Sequence, residues 1–345
     1  MRRRHDVDRN GNLTPAAKSG SRRRVQDDPL STMAVVTVAG KLNDASFQQA
    51  KKALEFLADA EPGLTANVLS LLPIDYDLLV QRLLPDAFPS VAKHVGPVLC
   101  YRGDPQDPDA SAYIGGVDAL LAWCRETYAY EDATHKIFYE RLAKTHMRGV
   151  AEKTGREYCA VDVAVDGATQ GTLLLELFTD VAPMTCANFK AFVRGTTCGA
   201  EDDEPGARKK YEGCLVHRVA RDGWFQTGDV LGDDGCGVTS SFGPPGATFA
   251  DETFKVKHDA PGVLSMVSGK KHGNGCQFLV ALAPLPFLDG RRVAFGRVID
   301  GLRVMKLVNR ERLTFAEKPV RDVRLGKCEM VTFALEAKAP TEAEE

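Results

Sequence analysis

The sequence predicts two structural units: an α/β domain followed by a closed antiparallel β-barrel with a helix at each end. Three observations predict this. The chain has 345 residues, which at roughly 150 residues per domain is room for two. Its first half alternates short β-branched runs with segments of helical apolar spacing. From Tyr158 onward the texture changes to short strands punctuated by glycine and proline, the pattern of an all-β unit.

The first strand is read at residues 34–39, Ala-Val-Val-Thr-Val-Ala, which are short and β-branched. Asn43 and Asp44 then offer N-caps to a helix whose Phe47, Ala50, Leu54 and Leu57 follow helical spacing. A second strand is expected over 67–74 and a second helix over 75–84. Val98-Leu-Cys-Tyr101 supplies a third strand, ended by a turn at Arg102-Gly-Asp-Pro105. Tyr113-Ile-Gly-Gly116 leads into a helix over 117–128, and residues 129–157 read as a helical connector. In the second half, strands at 159–165 and 171–178 are joined by a turn at Asp166-Gly167. Residues 185–193 form a helix, and punctuated strands continue to Val331.

Composition narrows the function. Hydrophobic residues make up 44% and charged residues 26%, as in ordinary globular domains. A formal charge of −3 gives no electrostatic footprint for a dedicated nucleic-acid binder. No uncharged stretch is long and apolar enough to span a bilayer. The nine cysteines are odd in number and form no CxxC pair, so free thiols in a reducing, cytoplasmic compartment are expected. Neither a zinc site nor any other cofactor is predicted.

Residues 1–32 carry eight basic residues against four acids and few aliphatic ones, and are read as a disordered basic tail. Residues 336–345 form an acidic tail. The acidic and basic run within 196–210, with Glu201-Asp-Asp-Glu204 before Arg208-Lys-Lys210, has no metal-loop spacing and is read as a solvated loop.

The β-α-β-α-β-β-α order of residues 33–128 resembles the thioredoxin/glutaredoxin fold. A redox enzyme needs a low-pKa thiolate at the first helix N-terminus. Here that loop reads Gly40-Lys-Leu-Asn-Asp-Ala-Ser46, without cysteine, and Cys100 and Cys124 fall mid-strand and mid-helix. This half is therefore read as a redox-dead docking or structural unit.

Residues 158–335 carry a denser set of motifs. They are Asp162-Val-Ala-Val-Asp-Gly167, Glu176-Leu-Phe178, Pro183-Met-Thr185, Asn188-Phe189, and His217-Arg218 followed by Gln226 and Gly228-Asp229. Further on come Phe249-Ala-Asp-Glu-Thr-Phe254, Gly262-Val-Leu-Ser-Met266, Asn274-Gly-Cys-Gln-Phe278, Leu288-Asp-Gly290 and Val293-Ala-Phe-Gly-Arg-Val298. In this order they resemble the cyclophilins. That resemblance implies an eight-stranded barrel capped by two helices and peptidyl-prolyl cis-trans isomerase activity on X–Pro bonds. It assigns catalysis to Arg218, as donor, and to Gln226, which orients the substrate carbonyl. It assigns substrate binding to Trp224, Gly235, Val267, Ser268, Gln277, Leu279, Phe287, Leu288 and Arg292. His217 is expected to be a hydrogen-bonded structural histidine, and Asp229 to tie the loop that follows it.

The chain departs from the family where an apolar cup holds the proline ring. Gly223 and Trp224 stand at the usual Phe-Met pair, Leu279 at a phenylalanine and Arg292 at a histidine. Val267-Ser268 replaces Ala-Asn, and Phe287 replaces a tryptophan. Losing one aromatic wall removes ~1.5–3 kcal/mol of apolar burial, and each ~1.4 kcal/mol is tenfold in rate, so weakened activity is expected. The alternative is a degraded, proline-peptide-binding scaffold. The resemblance implies proline-containing peptide or protein clients, with a ciliary or flagellar (cytoskeletal or axonemal) assembly as a second reading.

Overall fold

The computed structural model describes residues 35–91, 93–104, 107–195 and 210–333, with backbone alone at 107–112. The basic arm 1–32, residues 196–209 of the charged loop and the tail 336–345 lie outside the described residues. So does part of the turn expected at 102–105.

The first strand, β1 (Val35–Lys41), pairs in parallel with β2 (Thr65–Leu71) and antiparallel with β3 (Val98–Asp104), which pairs with β4 (Asp107–Gly115); the sheet order is β2-β1-β3-β4. Helix α1 (Ala45–Ala60) starts where the Asp44 carboxylate accepts the Ser46 N–H at 2.8 Å. Its buried Phe47, Ala50, Leu54 and Leu57 pack on Val36 and Val38 of β1. The element order is the one the sequence predicts, but two boundaries move. Helix α2 runs Pro73–Ala87, so Ile74 belongs to the helix and not to the preceding strand. Proline at the first helical position explains the shift, since its missing N–H is no loss there. The turn expected from Arg102 is instead the end of β3, extended by pairing with β4 (Gly103 opposite Pro108).

Helix α3 (Val117–Tyr128) leads to α4 (Lys136–Thr154). The segment between them is fastened to α1, where Asp132 accepts hydrogen bonds from Gln49 Nε2 at 2.8 Å and Tyr139 OH at 2.9 Å. Cys100 and Cys124 are buried, and burial pushes both thiols up, Cys124 to about 11. The eight described cysteines are all free.

The second sheet has eight strands, all antiparallel. Its members are β5 (Glu157–Val165), β6 (Ala168–Leu177), β7 (Arg218–Ala220), β8 (Trp224–Thr227), β9 (Val263–Met266), β10 (Phe278–Ala281), β11 (Ala294–Asp300) and β12 (Val323–Val331). Asp166 (φ 50°) and Gly167 (φ 80°) make the two-residue hairpin turn between β5 and β6. The order is β12-β5-β6-β11-β9-β10-β8-β7. This corrects the expected closed barrel: no strand ladder joins β7 to β12. Across that gap, residues 213–216 make a single bridge (Leu215 opposite Arg324) and three backbone bonds to β12. The turn at Tyr211–Cys214, closed by Cys214 N–H donating to Tyr211 O, interrupts the strand that would have completed the ladder.

Helix α5 (Pro183–Arg194) adds Phe189 and Phe192 to the core of this sheet, and α6 (Leu302–Asn309) adds Val304, Met305 and Val308. Phe189 meets the rings of Tyr211, Phe278 and Phe295 at 5.0–5.3 Å between centroids.

Candidate active site

Strand register assembles the site. Arg218 of β7 stands opposite Gln226 of β8, and Gln226 stands opposite Leu279 of β10. Residues paired across antiparallel strands project from the same face, so these three form a row. Trp224 lies two residues from Gln226 and shares its face, while Phe225 and Thr227 between and beyond them point into the core. The row borders a cavity of about 460 Å3. Val267 and Ser268, just after β9, line it, with Gly235 and Gln277. Leu288 and Arg292 complete the set of predicted residues that the structure brings together.

Phe287 is the exception. The 3₁₀ turn Pro286–Leu288 directs Leu288 into the cavity and leaves Phe287 outside its lining and 54% exposed, its ring 6.3 Å from that of Trp224. Gly237, Val238, Gly269, Gly273, Gly275 and Cys276 also line the cavity; Gly275 and Cys276 fall in the Asn274–Phe278 motif, but the sequence assigned none of the six a binding role.

Hydrogen bonds hold the loops around the cavity. The buried Asp229 carboxylate accepts four backbone N–H groups, from Leu231, Gly232, Gly235 and Gly237, at 3.0–3.1 Å. Its role is thus the loop-tying one predicted. Gln277 Nε2 donates to the carbonyls of Gly235 and Gly237, both at 2.8 Å, and its Oε1 accepts from Gln226 Nε2 at 2.7 Å. Gly235 (φ 78°) is needed for contact inside the protein: a Cβ there would sit 2.5 Å from the His217 ring. His217 is buried as expected, but neither ring nitrogen has a hydrogen-bond partner among the described residues. Burial lowers its pKa and favours the neutral ring. Asn188 of α5 bridges two loops, donating to Gly275 O and accepting from Ser241 N, each at 2.8 Å. Behind the cavity, His258 Nδ1 bonds Asp289 at 2.9 Å and its Nε2 bonds Ser265 at 3.0 Å.

The two arginines of the cavity differ electrostatically. Arg218 donates from Nε to Glu317 Oε2 at 2.8 Å, both side chains about half exposed, and its guanidinium lies 5.5 Å from the Trp224 ring centroid. Glu317 sits at φ 59° in a tight turn and is itself held by Val219 N–H donating to its carbonyl at 2.8 Å. Sequence reasoning missed Glu317. Arg292 makes no ion pair among the described residues, and burial lowers its pKa below the usual guanidinium value. Preorganised donors beside an apolar wall, in a partly enclosed groove, are suited to stabilising a redistribution of charge in a bound amide.

A larger crevice of about 1100 Å3, bordered by α2 and α6, contains none of the predicted site residues. Among the described residues no group of three or more His, Cys, Asp or Glu side chains could hold a metal ion, and no helix is long and apolar enough to cross a membrane.

A family model, "Cyclophilin type peptidyl-prolyl cis-trans isomerase/CLD", matches residues 160–330. The chain is 31% identical over 273 residues to "Probable inactive peptidyl-prolyl cis-trans isomerase-like 6" of Bos taurus, a match covering 78% of this chain and 84% of that protein. The protein of the same name from Mus musculus is 30% identical over 274 residues, covering 78% and 82%. "Peptidyl-prolyl cis-trans isomerase 11" of Caenorhabditis elegans is 37% identical over 168 residues, which is 49% of this chain and 87% of that protein.

Proposed function

The chain belongs to the cyclophilin type peptidyl-prolyl cis-trans isomerase family, and from that premise we propose that it isomerises X–Pro bonds of protein clients, with Arg218 as the donor. The barrier to rotation is ~18–20 kcal/mol because resonance gives the amide C–N bond double-bond character. An N–H donor aimed at the prolyl nitrogen draws its lone pair out of that resonance. The reaction needs no nucleophile, only a preorganised field in a groove that excludes water. Gln226 keeps one amide N–H engaged with Gln277 and presents the rest of its amide to a substrate carbonyl. Trp224, Leu279 and Leu288 supply the apolar surface for the proline ring. The observation that carries this reading is the Arg218–Gln226–Leu279 row bordering one cavity with Ser268.

A second reading, a catalytically degraded proline-peptide-binding scaffold, is favoured by the Glu317 carboxylate that neutralises Arg218, and by the word "inactive" in two relatives' names. In it the thioredoxin/glutaredoxin-like first half is a redox-silent docking unit, supported by the buried Cys100 and Cys124, in a cytoplasmic assembly of ciliary or flagellar kind.

The test is exchange NMR of a short X–Pro peptide with the native chain and with Arg218→Ala. The isomerase reading expects accelerated exchange that the substitution removes. Peptide binding without acceleration by either protein selects the scaffold.

A further inference from the structure

The sixteen described residues lining the cavity include two arginines and no carboxylate. A guanidinium cannot discard its proton in a protein, so one that is partly withdrawn from water needs a counter-charge. For Arg218 that counter-charge is Glu317 at 2.8 Å. Arg292 has none: it makes no ion pair and no side-chain hydrogen bond among the described residues, although it is only partly exposed. The carboxylate that does favour its charge, Asp251, is engaged elsewhere, accepting from the His272 backbone N–H at 3.0 Å and from Asn274 Nδ2 at 2.9 Å. Two more cations follow the cavity-lining Gly269 in the chain. Lys270 and Lys271 are exposed and without ion pairs among the described residues, and Lys270 Cγ packs close against the cavity-lining Gly273. Among the described residues the lining therefore carries cationic side chains and no carboxylate of its own, and Arg292 there is without an ion pair, an arrangement that attracts and selects anions.

We propose that this pocket selects proline peptides carrying an anionic side chain next to the proline, and that Arg292 is the specificity residue that reads it. The inference rests on the reading of this cavity as a proline-peptide site. The chemistry shared by the possible ligands is a compact oxyanion, either the carboxylate of Asp or Glu or the phosphate of a modified Ser or Thr, which the planar guanidinium fork can bind through two N–H groups. A neutral neighbour leaves Arg292 unpaired, and a cationic one adds repulsion, so discrimination comes from both.

The test uses the full chain and matched short peptides in which the residue before or after proline is Glu, Gln, Lys, Ser or phosphoserine. Dissociation constants come from chemical-shift titration and isomerisation from exchange NMR. The expected result is a preference of about tenfold for Glu over Gln, narrowing with added salt as charges are screened. In Arg292→Gln the ratio should fall to about one, while Arg292→Lys should keep most of it. A preference for phosphoserine over serine without one for Glu over Gln supports the proposal and assigns the oxyanion as phosphate. Equal binding of all peptides by the native chain overturns it, as does a preference that survives in Arg292→Gln, and either result leaves the peptide-site reading standing. If no peptide binds or exchanges faster, the peptide-site reading falls and this inference with it.

Discussion

At the scale of single residues, Arg218 and Arg292 carry equal charge into one cavity under opposite conditions. Arg218 was legible because His217-Arg218 precedes Gln226 at a recognisable spacing. Its partner was not: Glu317 lies 99 residues further on, and nothing in its neighbours distinguishes it from any surface glutamate. A half-exposed ion pair is worth up to ~1 kcal/mol. Glu317→Gln should therefore release Arg218 towards the substrate and raise the rate of X–Pro exchange by about two- to fivefold, measured by exchange NMR. A fall in rate would mean instead that the carboxylate aims the guanidinium. Phe287 teaches the same lesson from the apolar side. The family resemblance marks it as a pocket residue, but a three-residue turn beginning at Pro286 decides which of two neighbours, Phe287 or Leu288, faces inward.

At the scale of elements, α5 shows how a family motif acts through the backbone. Its N-cap residue, Ala182, has no side chain to satisfy the first N–H groups of the helix. Glu252, in the Phe249–Phe254 motif, reaches across and accepts from Met184 N, Thr185 N and Thr185 Oγ1, each at 2.8 Å. A capping contact is typically worth ~1 kcal/mol, and with the partly buried Thr185 N–H and hydroxyl left without their acceptor Glu252→Ala should cost about 1–2 kcal/mol. Thermal unfolding of the full chain reads this as a lower midpoint; an unchanged midpoint would show that water replaces the carboxylate. Elements with their own start and stop chemistry were legible. Asp44 before α1, the Asp166-Gly167 turn and the range of α3 all match. Where two neighbouring segments compete, as at Pro73 and at the end of β3, local pattern placed the boundary wrongly, because proline fits a first helical turn and strand pairing lengthens strands.

At the scale of the whole molecule, the two halves are joined by a buried contact. Ile74 of α2 is 2% exposed and sits within the core of the eight-stranded unit. Gly262 (φ 90°) admits it: a Cβ there would lie 3.0 Å from Ile74 Cδ1. Beside it the buried Glu176 receives Arg297 at 2.8 Å and Arg156 at 3.5 Å, and Arg297 reaches Asp75 of α2 at 3.8 Å. Truncating a buried isoleucine to alanine costs ~2–5 kcal/mol. Ile74→Ala should therefore destabilise the eight-stranded unit as well as its own, lowering the denaturant midpoint reported by near-ultraviolet signals from Trp224. An unchanged midpoint for that probe would show the halves to be energetically independent.

What could be read directly along the chain was local: strand and helix identity, turns, caps, and the motif order that marks the family and names Arg218, Gln226 and their neighbours. Periodicity, capping and turn chemistry act within a few residues, so a linear reading captures them. Contacts across the fold decided the rest. They left the eight-stranded sheet unclosed between β7 and β12, turned Phe287 outward, seated Ile74 in the other unit's core, gave Arg218 a bonded carboxylate and left Arg292 without an ion pair among the described residues. Each of these depends on which distant groups meet and how far water is excluded between them, and burial and charge pairing arise only when the chain has folded.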